Sequence, residues 1–128
     1  MIAIGIGANS RARRDDFIAV IASTVSEIDG CDVVATLENT SFSVDLEDAA
    51  DFHGLEFRPL AIAALRQRNG DCITRSDLTL DLLGIASVAE ASALAAAGPG
   101  SQLLTPRHTI GHVTVATARS ADTKEDAR

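Results

Sequence analysis

The chain has 128 residues, the length of one hydrophobic core. Its 46% hydrophobic and 23% charged residues exclude collagen-like, low-complexity and disulfide-scaffold chains. A formal charge of -7 argues against a nucleic-acid partner, because phosphate neutralisation supplies most of that affinity, and four Phe with no Tyr or Trp leave no platform for stacking bases.

The opening Met-Ile-Ala-Ile-Gly-Ile-Gly has no basic start and no long apolar run, so no signal peptide is expected. No apolar run approaches the roughly 20 residues of a membrane span. The expectation is a cytoplasmic protein with no membrane partner. Cys31 and Cys72 form no C-x-x-C and are expected to be reduced thiols. Lys124 is the only Lys and lies in a polar tail, which leaves no credible Schiff-base lysine.

Ile2, Ile4 and Ile6 predict a strand that ends in a tight turn at Gly5 and Gly7. Phe17, Val20, Ile21, Val25 and Ile28 recur at helical spacing, with Asp15 and Asp16 in the first turn and Gly30 at the end. Residues 32–37 read as a second strand and 38–43 as a polar loop. A short helix is expected over 44–53. Residues 55–60 form a third strand, placed at an edge by Pro59.

One or two helical turns are expected over 62–68, and a turn at Asn69-Gly70. A short helix follows over 76–83, capped by Thr74 or Ser76. Ser87-Val88-Ala89-Glu90 reads as a capping box ahead of an alanine-rich helix. The alanines suit close packing on a sheet, or room for a large flat ligand. Gly98-Pro99-Gly100 stops that helix. Residues 102–105 and 110–118 are predicted strands joined by a loop over 106–111.

The order β-α-β-α-β-α-α-β-β predicts one α/β layered domain over residues 1–118, with a parallel core and a mixed sheet. The tail, 119–128, is polar and expected to be disordered.

Three segments carry candidate chemistry. In open α/β sheets, ligands sit beyond the carboxyl ends of the strands. The first turn there holds Gly7, Asn9, Ser10 and Arg11, followed by Arg13 and Arg14. Such a cluster suits an anionic guest at a helix start. Equally, the arginines can be solvated or paired with Asp15 and Asp16. Position 10 is Ser, so the G-x-G-x-x-G fingerprint is incomplete, and no dinucleotide or other cofactor is expected.

The second segment is Glu38-Asn39-Thr40-Ser41, with Glu38 as its acid/base candidate and a plain polar loop as the alternative. The third is Arg107-His108 with His112. Arg107 suits an anion contact better than either His suits a metal, with plain exposed loop residues as the alternative; the two His lack an obvious third ligand, so no metal is expected. His53 suits a helix C-terminus. Ser76 reads first as an N-cap, and no G-x-S-x-G elbow surrounds it.

Residues 87–98 (SVAEASALAAAG), then Leu103-Leu104-Thr105-Pro106-Arg107 and His112-Val113-Thr114-Val115-Ala116, resemble the C-terminal signature of the CobE/CbiG C-terminal-domain family of cobalamin biosynthesis. The opening Gly5-Ile6-Gly7, the strand end Ala35-Thr36, and Ser76 ahead of Gly84 fit its other landmarks. The chain departs from the family pattern in having Ala8-Asn9 for Cys-Arg, Thr40 and Ser43 for Lys and Glu, and Arg107 for a hairpin Lys.

The resemblance implies a three-layer α/β/α sandwich with a mixed, mainly parallel sheet of about five strands. It also implies that the partner is a precorrin-type tetrapyrrole, a macrocycle rimmed with carboxylates, with another corrin-pathway enzyme as a further partner. The expected ligand contacts are Gly7, Asn9, Ser10, Arg11, Asn39, Ser76 and Arg107. The alternatives are a cobalt-precorrin lactone hydrolase releasing acetaldehyde, with Glu38 or His108 as acid/base, and a non-catalytic partner module.

Overall fold

Alternation along the first strand sets the layers of the computed structural model, which describes residues 1–28 and 30–121. In β1 (Ile2–Ala8), Ile4 and Ile6 face one side of the sheet. They share a core with Phe17, Val20 and Ile21 of α1 (Arg14–Glu27) and with Leu46, Ala49 and Ala50 of α2 (Ser43–Phe52). Ala3, Gly5 and Gly7 face the other side, toward α5 (Val88–Ala97), which packs on β1 and on β5 (Val113–Arg119).

The contact with α5 explains the glycines. A methyl at Gly5 would overlap the Ala89 carbonyl oxygen and stand 2.6 Å from the Ala93 nitrogen. Gly5 and Gly7 therefore do not turn the chain, as the sequence suggests; they lie inside the strand, and the turn comes after Ala8. A strand glycine of this kind marks a close backbone approach.

The sheet has five strands in the order β3-β2-β1-β5-β4. β2 (Val33–Leu37) pairs in parallel with β1 and with β3 (Glu56–Leu60). β5 is antiparallel to both β1 and β4 (Gln102–Ile110), so it alone opposes the other strands. Pro59 sits in the edge strand β3, where a missing N–H is tolerated. Helices α1 and α2 cover one face. On the other lie α5 and α3 (Ile62–Gln67).

The helical turns expected over 62–68 form α3, so three α-helices separate β3 from β4: α3, α4 (Asp77–Leu83) and α5, with a 3-10 turn at Asn69–Asp71. Three corrections concern the second half. The expected loop over 106–111 is mostly strand. β4 continues to Ile110 through register shifts on either side of Thr105, and only Gly111 and His112 turn the hairpin. As an edge strand beside a full-length partner, β4 accepts Pro106. Arg119 is in β5, paired with Ile2, and the Ser120 N–H donates to the Met1 carbonyl. The rest of the expected tail, 122–128, lies outside the described residues.

The third correction is at Glu90. Ser87 does cap α5, its Oγ accepting the Glu90 N–H at 3.2 Å. The Glu90 carboxylate, however, turns away from the helix start and is fully buried. Its Oε1 accepts the N–H groups of Ile73 (2.7 Å) and Thr74 (2.9 Å), and its Oε2 accepts the N–H of Arg107 (2.7 Å). Burial alone would push this carboxyl up, but the donors at Arg107, Thr74 and Ile73 hold it below its ordinary value. At the other end of α5, the Arg68 guanidinium donates to the Leu94 and Gly98 carbonyls and to both Oγ and O of Ser101. A guanidinium there complements the negative end of the helix dipole.

Cys31 and Cys72 are free thiols. Burial, reinforced by the Glu90 charge, pushes the Cys72 thiol up to about 11. Burial likewise raises Cys31.

Gly5→Ala should cost about 3 kcal/mol in urea unfolding because backbone cannot yield as a rotamer does. Gly70→Ala, with open space around it, should change stability by no more than about 0.5 kcal/mol. Because the folded-state carboxyl of Glu90 lies below the unfolded value near 4.5, its contribution is complete above that pH and lost as pH falls through the folded value. Wild-type stability should therefore drop more steeply below about pH 4.5 than that of Glu90→Gln, measured by urea denaturation across pH. Thiol alkylation at pH 8 should be slow at Cys72 and faster in Glu90→Gln, with Cys31 unchanged; peptide mass mapping reads both sites.

Candidate functional site

Where β1 ends, Asn9 ties the chain to the closing hairpin. Its N–H donates to the His112 carbonyl at 3.1 Å, and its Oδ1 accepts the Arg11 N–H at 2.8 Å. That leaves Asn9 Nδ2 as the donor across 3.2 Å to His112 Nδ1. A neutral His112 with Nδ1 accepting carries its proton on Nε2. The pairing of Ala8 with Val113 brings the same two segments together through the backbone.

A cavity of about 460 Å³ opens at this junction, beyond the carboxyl ends of β1 and β2. Its polar lining is Asn9 from the β1 turn and Arg107, Thr109, His112 and Thr114 from the hairpin. Its apolar lining is Leu37 and Phe42, at the end of β2 and after it, Leu78 and Leu83 of α4, and Val88 at the start of α5. Gly7 lines it too. A methyl there would stand 2.7 Å from Thr114 Oγ1 and 3.9 Å from the Ala89 nitrogen. The glycine thus keeps space open beside the first turn of α5, whose leading amides have no partner within the helix.

Strand alternation sorts the hairpin. Arg107 and Thr109 reach the cavity, while His108 is exposed, paired across to Val115 and outside the lining. Among the described residues no carboxylate forms an ion pair with Arg107.

Of the residues singled out from sequence, the structure brings Gly7, Asn9 and Arg107 together at this cavity. Ser10 and Arg11 are exposed in the turn just after Asn9 and do not line it. Neither do Arg13 and Arg14; Arg14 Nε stands 3.9 Å from an Asp15 oxygen. Glu38 and Asn39 are exposed, with Asn39 at φ 63°. Their neighbour Thr40 lines the cavity instead, its Oγ1 sharing a hydrogen bond with Ser43 Oγ at 2.8 Å. Ser76 Oγ accepts the Thr79 N–H, so it caps α4, and Thr79 faces the cavity in its place. His108 and His112 are engaged with different partners: Pro106 O lies 3.5 Å from His108 Nδ1.

Sequence reasoning passed over Thr109, Thr114, Phe42 and the α4 residues, and weighed His112 only as a metal ligand. Period-2 spacing of His112 and Thr114 from the hairpin turn was the available signal. For α4 the signal was weaker. None of its residues is buried, and Leu78 and Leu82 are 69% and 71% exposed.

The family described as Cobalamin synthesis G C-terminus matches residues 2–118. No curated protein sequence matches the chain. Among solved structures, CobE, a protein from the cobalamin (vitamin B12) biosynthetic pathway, is similar at a TM-score of 0.84 and 25% identity, over 94% of each chain. Cobalamin biosynthesis protein chiG from Agrobacterium tumefaciens str. C58 is similar at a TM-score of 0.73 and 34% identity, over 95% of this chain and 100% of that one. Signature, fold and matched span agree: the chain belongs to the CobE/CbiG C-terminal-domain family of cobalamin biosynthesis proteins.

Proposed function

We propose that this protein binds a precorrin-type tetrapyrrole polycarboxylate in the cavity at the end of β1, and holds it for transfer to another enzyme of corrin synthesis. The supporting observation is the make-up of the cavity lining. A guanidinium without an ion pair among the described residues, an amide, an imidazole and threonine hydroxyls share it with leucine, phenylalanine and valine side chains. A ring carrying acid side arms has the same combination of apolar surface and charged rim. Arg107 is the expected carboxylate contact, since its fork of donors matches a carboxylate bidentately. Asn9, His112 and the start of α5 supply further donors.

The volume of about 460 Å³ lies in the range of small-molecule clefts. A tetrapyrrole with its side arms is larger than such a cleft, so part of the ring stays outside, accessible to a receiving enzyme. The acid/base candidates Glu38 and His108 do not line the cavity, which favours holding over lactone hydrolysis.

Ultraviolet–visible titration with a stable corrin polycarboxylate should give saturable spectral change at micromolar ligand. Arg107→Ala should weaken binding about tenfold or more, the loss of one charge-assisted contact, while Arg13→Ala leaves it unchanged. An unchanged spectrum, or equal affinity of wild type and Arg107→Ala, would remove the reading. Release of acetaldehyde from a cobalt-precorrin lactone would replace it with hydrolysis.

A further inference from the structure

Two segments that line the cavity, the stretch of β4 around Arg107 and helix α4, lack a regular packing or pairing partner at that point. Arg107 sits in β4 where the pairing register shifts on the approach to His108, so the ladder with β5 does not fix it as it fixes Ile110 opposite Val113. Helix α4 brings Leu78, Thr79 and Leu83 to the lining, yet has no buried residue. Its arm is tied at one end by bonds from Arg66 Nε to the Leu83 carbonyl and from the Ala86 N–H to Asn69 Oδ1. At the other end, the Ser76 N–H donates to the Ala86 carbonyl at 2.8 Å, and Ile73 and Thr74 just before it are held by the carboxylate of Glu90.

That carboxylate is shared. Oε1 takes the N–H groups of Ile73 and Thr74, at the root of the α4 arm, and Oε2 takes the N–H of Arg107. One α5 side chain thus joins the backbone of Arg107, whose residue lines the cavity, to the backbone leading into α4, which lines it as well. α5 is itself fixed by its backbone contact with Gly5. We propose that Glu90 is the positioning residue of the cavity: one buried anion sets both the backbone from which the Arg107 guanidinium projects and the root of the α4 arm that shares the lining with it. A neutral side chain of the same size cannot serve both, because an amide offers one accepting atom and turns a donor toward the remaining N–H. The inference rests on the binding reading only for what Arg107 contacts; the positioning itself is a property of the free protein.

The test uses the full chain. In wild-type protein, hydrogen exchange should show the amides of Ile73, Thr74 and Arg107 opening together with one common free energy; independent opening would overturn the proposal. In Glu90→Gln, all three should exchange about tenfold faster or more, and the Arg107 Nε–H should gain motion by nitrogen relaxation. An unchanged Arg107 would also overturn it.

Corrin polycarboxylate binding should weaken about tenfold in Glu90→Gln, but by less than about threefold when the change is made in Arg107→Ala protein, since Glu90 acts through Arg107. Full additivity of the two changes would assign Glu90 a merely structural role. If wild-type protein bound no corrin, the binding reading would fail, while the exchange and relaxation results would still decide the role of Glu90. If Glu90→Gln did not fold, the wild-type exchange pattern alone would decide it.

Discussion

Helix α5 lies on β1 with almost nothing between the two backbones. Gly5 has no room for even a methyl group against Ala89 and Ala93, and the facing residues of the helix are alanines. The opposite face of the same strand carries Ile4 and Ile6, which need the deeper cover of α1 and α2. One alternating pattern therefore prescribes two packing distances. The close side fixes the height and angle of α5, and with them the place of its first turn beside Gly7 and of the Glu90 side chain behind the cavity.

One buried and one partly buried charge, Glu90 and Arg68, lie against α5. The chain from Ala61 to Ala86 crosses the molecule in short helices and turns, and few of its backbone groups belong to long ladders. Backbone polar groups withdrawn from water need partners. Glu90 supplies them at the start of α5 and Arg68 at its end, each engaging several backbone groups at once. A buried ion costs solvation, which charge-assisted bonds of this number and geometry offset. The two charges frame α5 and bind the irregular crossing to it.

The cavity inherits its chemistry from these constraints. β1 delivers Gly7 and Asn9; the hairpin delivers Arg107, Thr109, His112 and Thr114, because β5 runs back beside β1. Asn9 joins the two through its side chain and its backbone. The apolar lining comes from elements far apart in the chain, around the end of β2 and in α4. Family membership places the protein in cobalamin biosynthesis.

Much of the fold was legible in the residues. Isoleucine alternation, helical spacing from Phe17 to Ile21, the Ser87 cap and the glycine stop at 98–100 are local signals, and local sterics and hydrogen bonding enforce them. The S-x-x-E pattern was legible too, but its meaning was not. Whether Glu90 bonds to its own helix start or to Ile73, Thr74 and Arg107 depends on segments 16 or more positions away arriving beside it. The same holds for Pro106, which reads as a loop until β5 offers it an edge to join, and for the arginines at 11–14, whose charge pattern suggested a site that the turn after Asn9 leaves outside the cavity lining. Sequence by itself determined most of the elements and the family. Tertiary structure decided which polar groups converge, because convergence is a matter of distance between segments, and no local propensity encodes it.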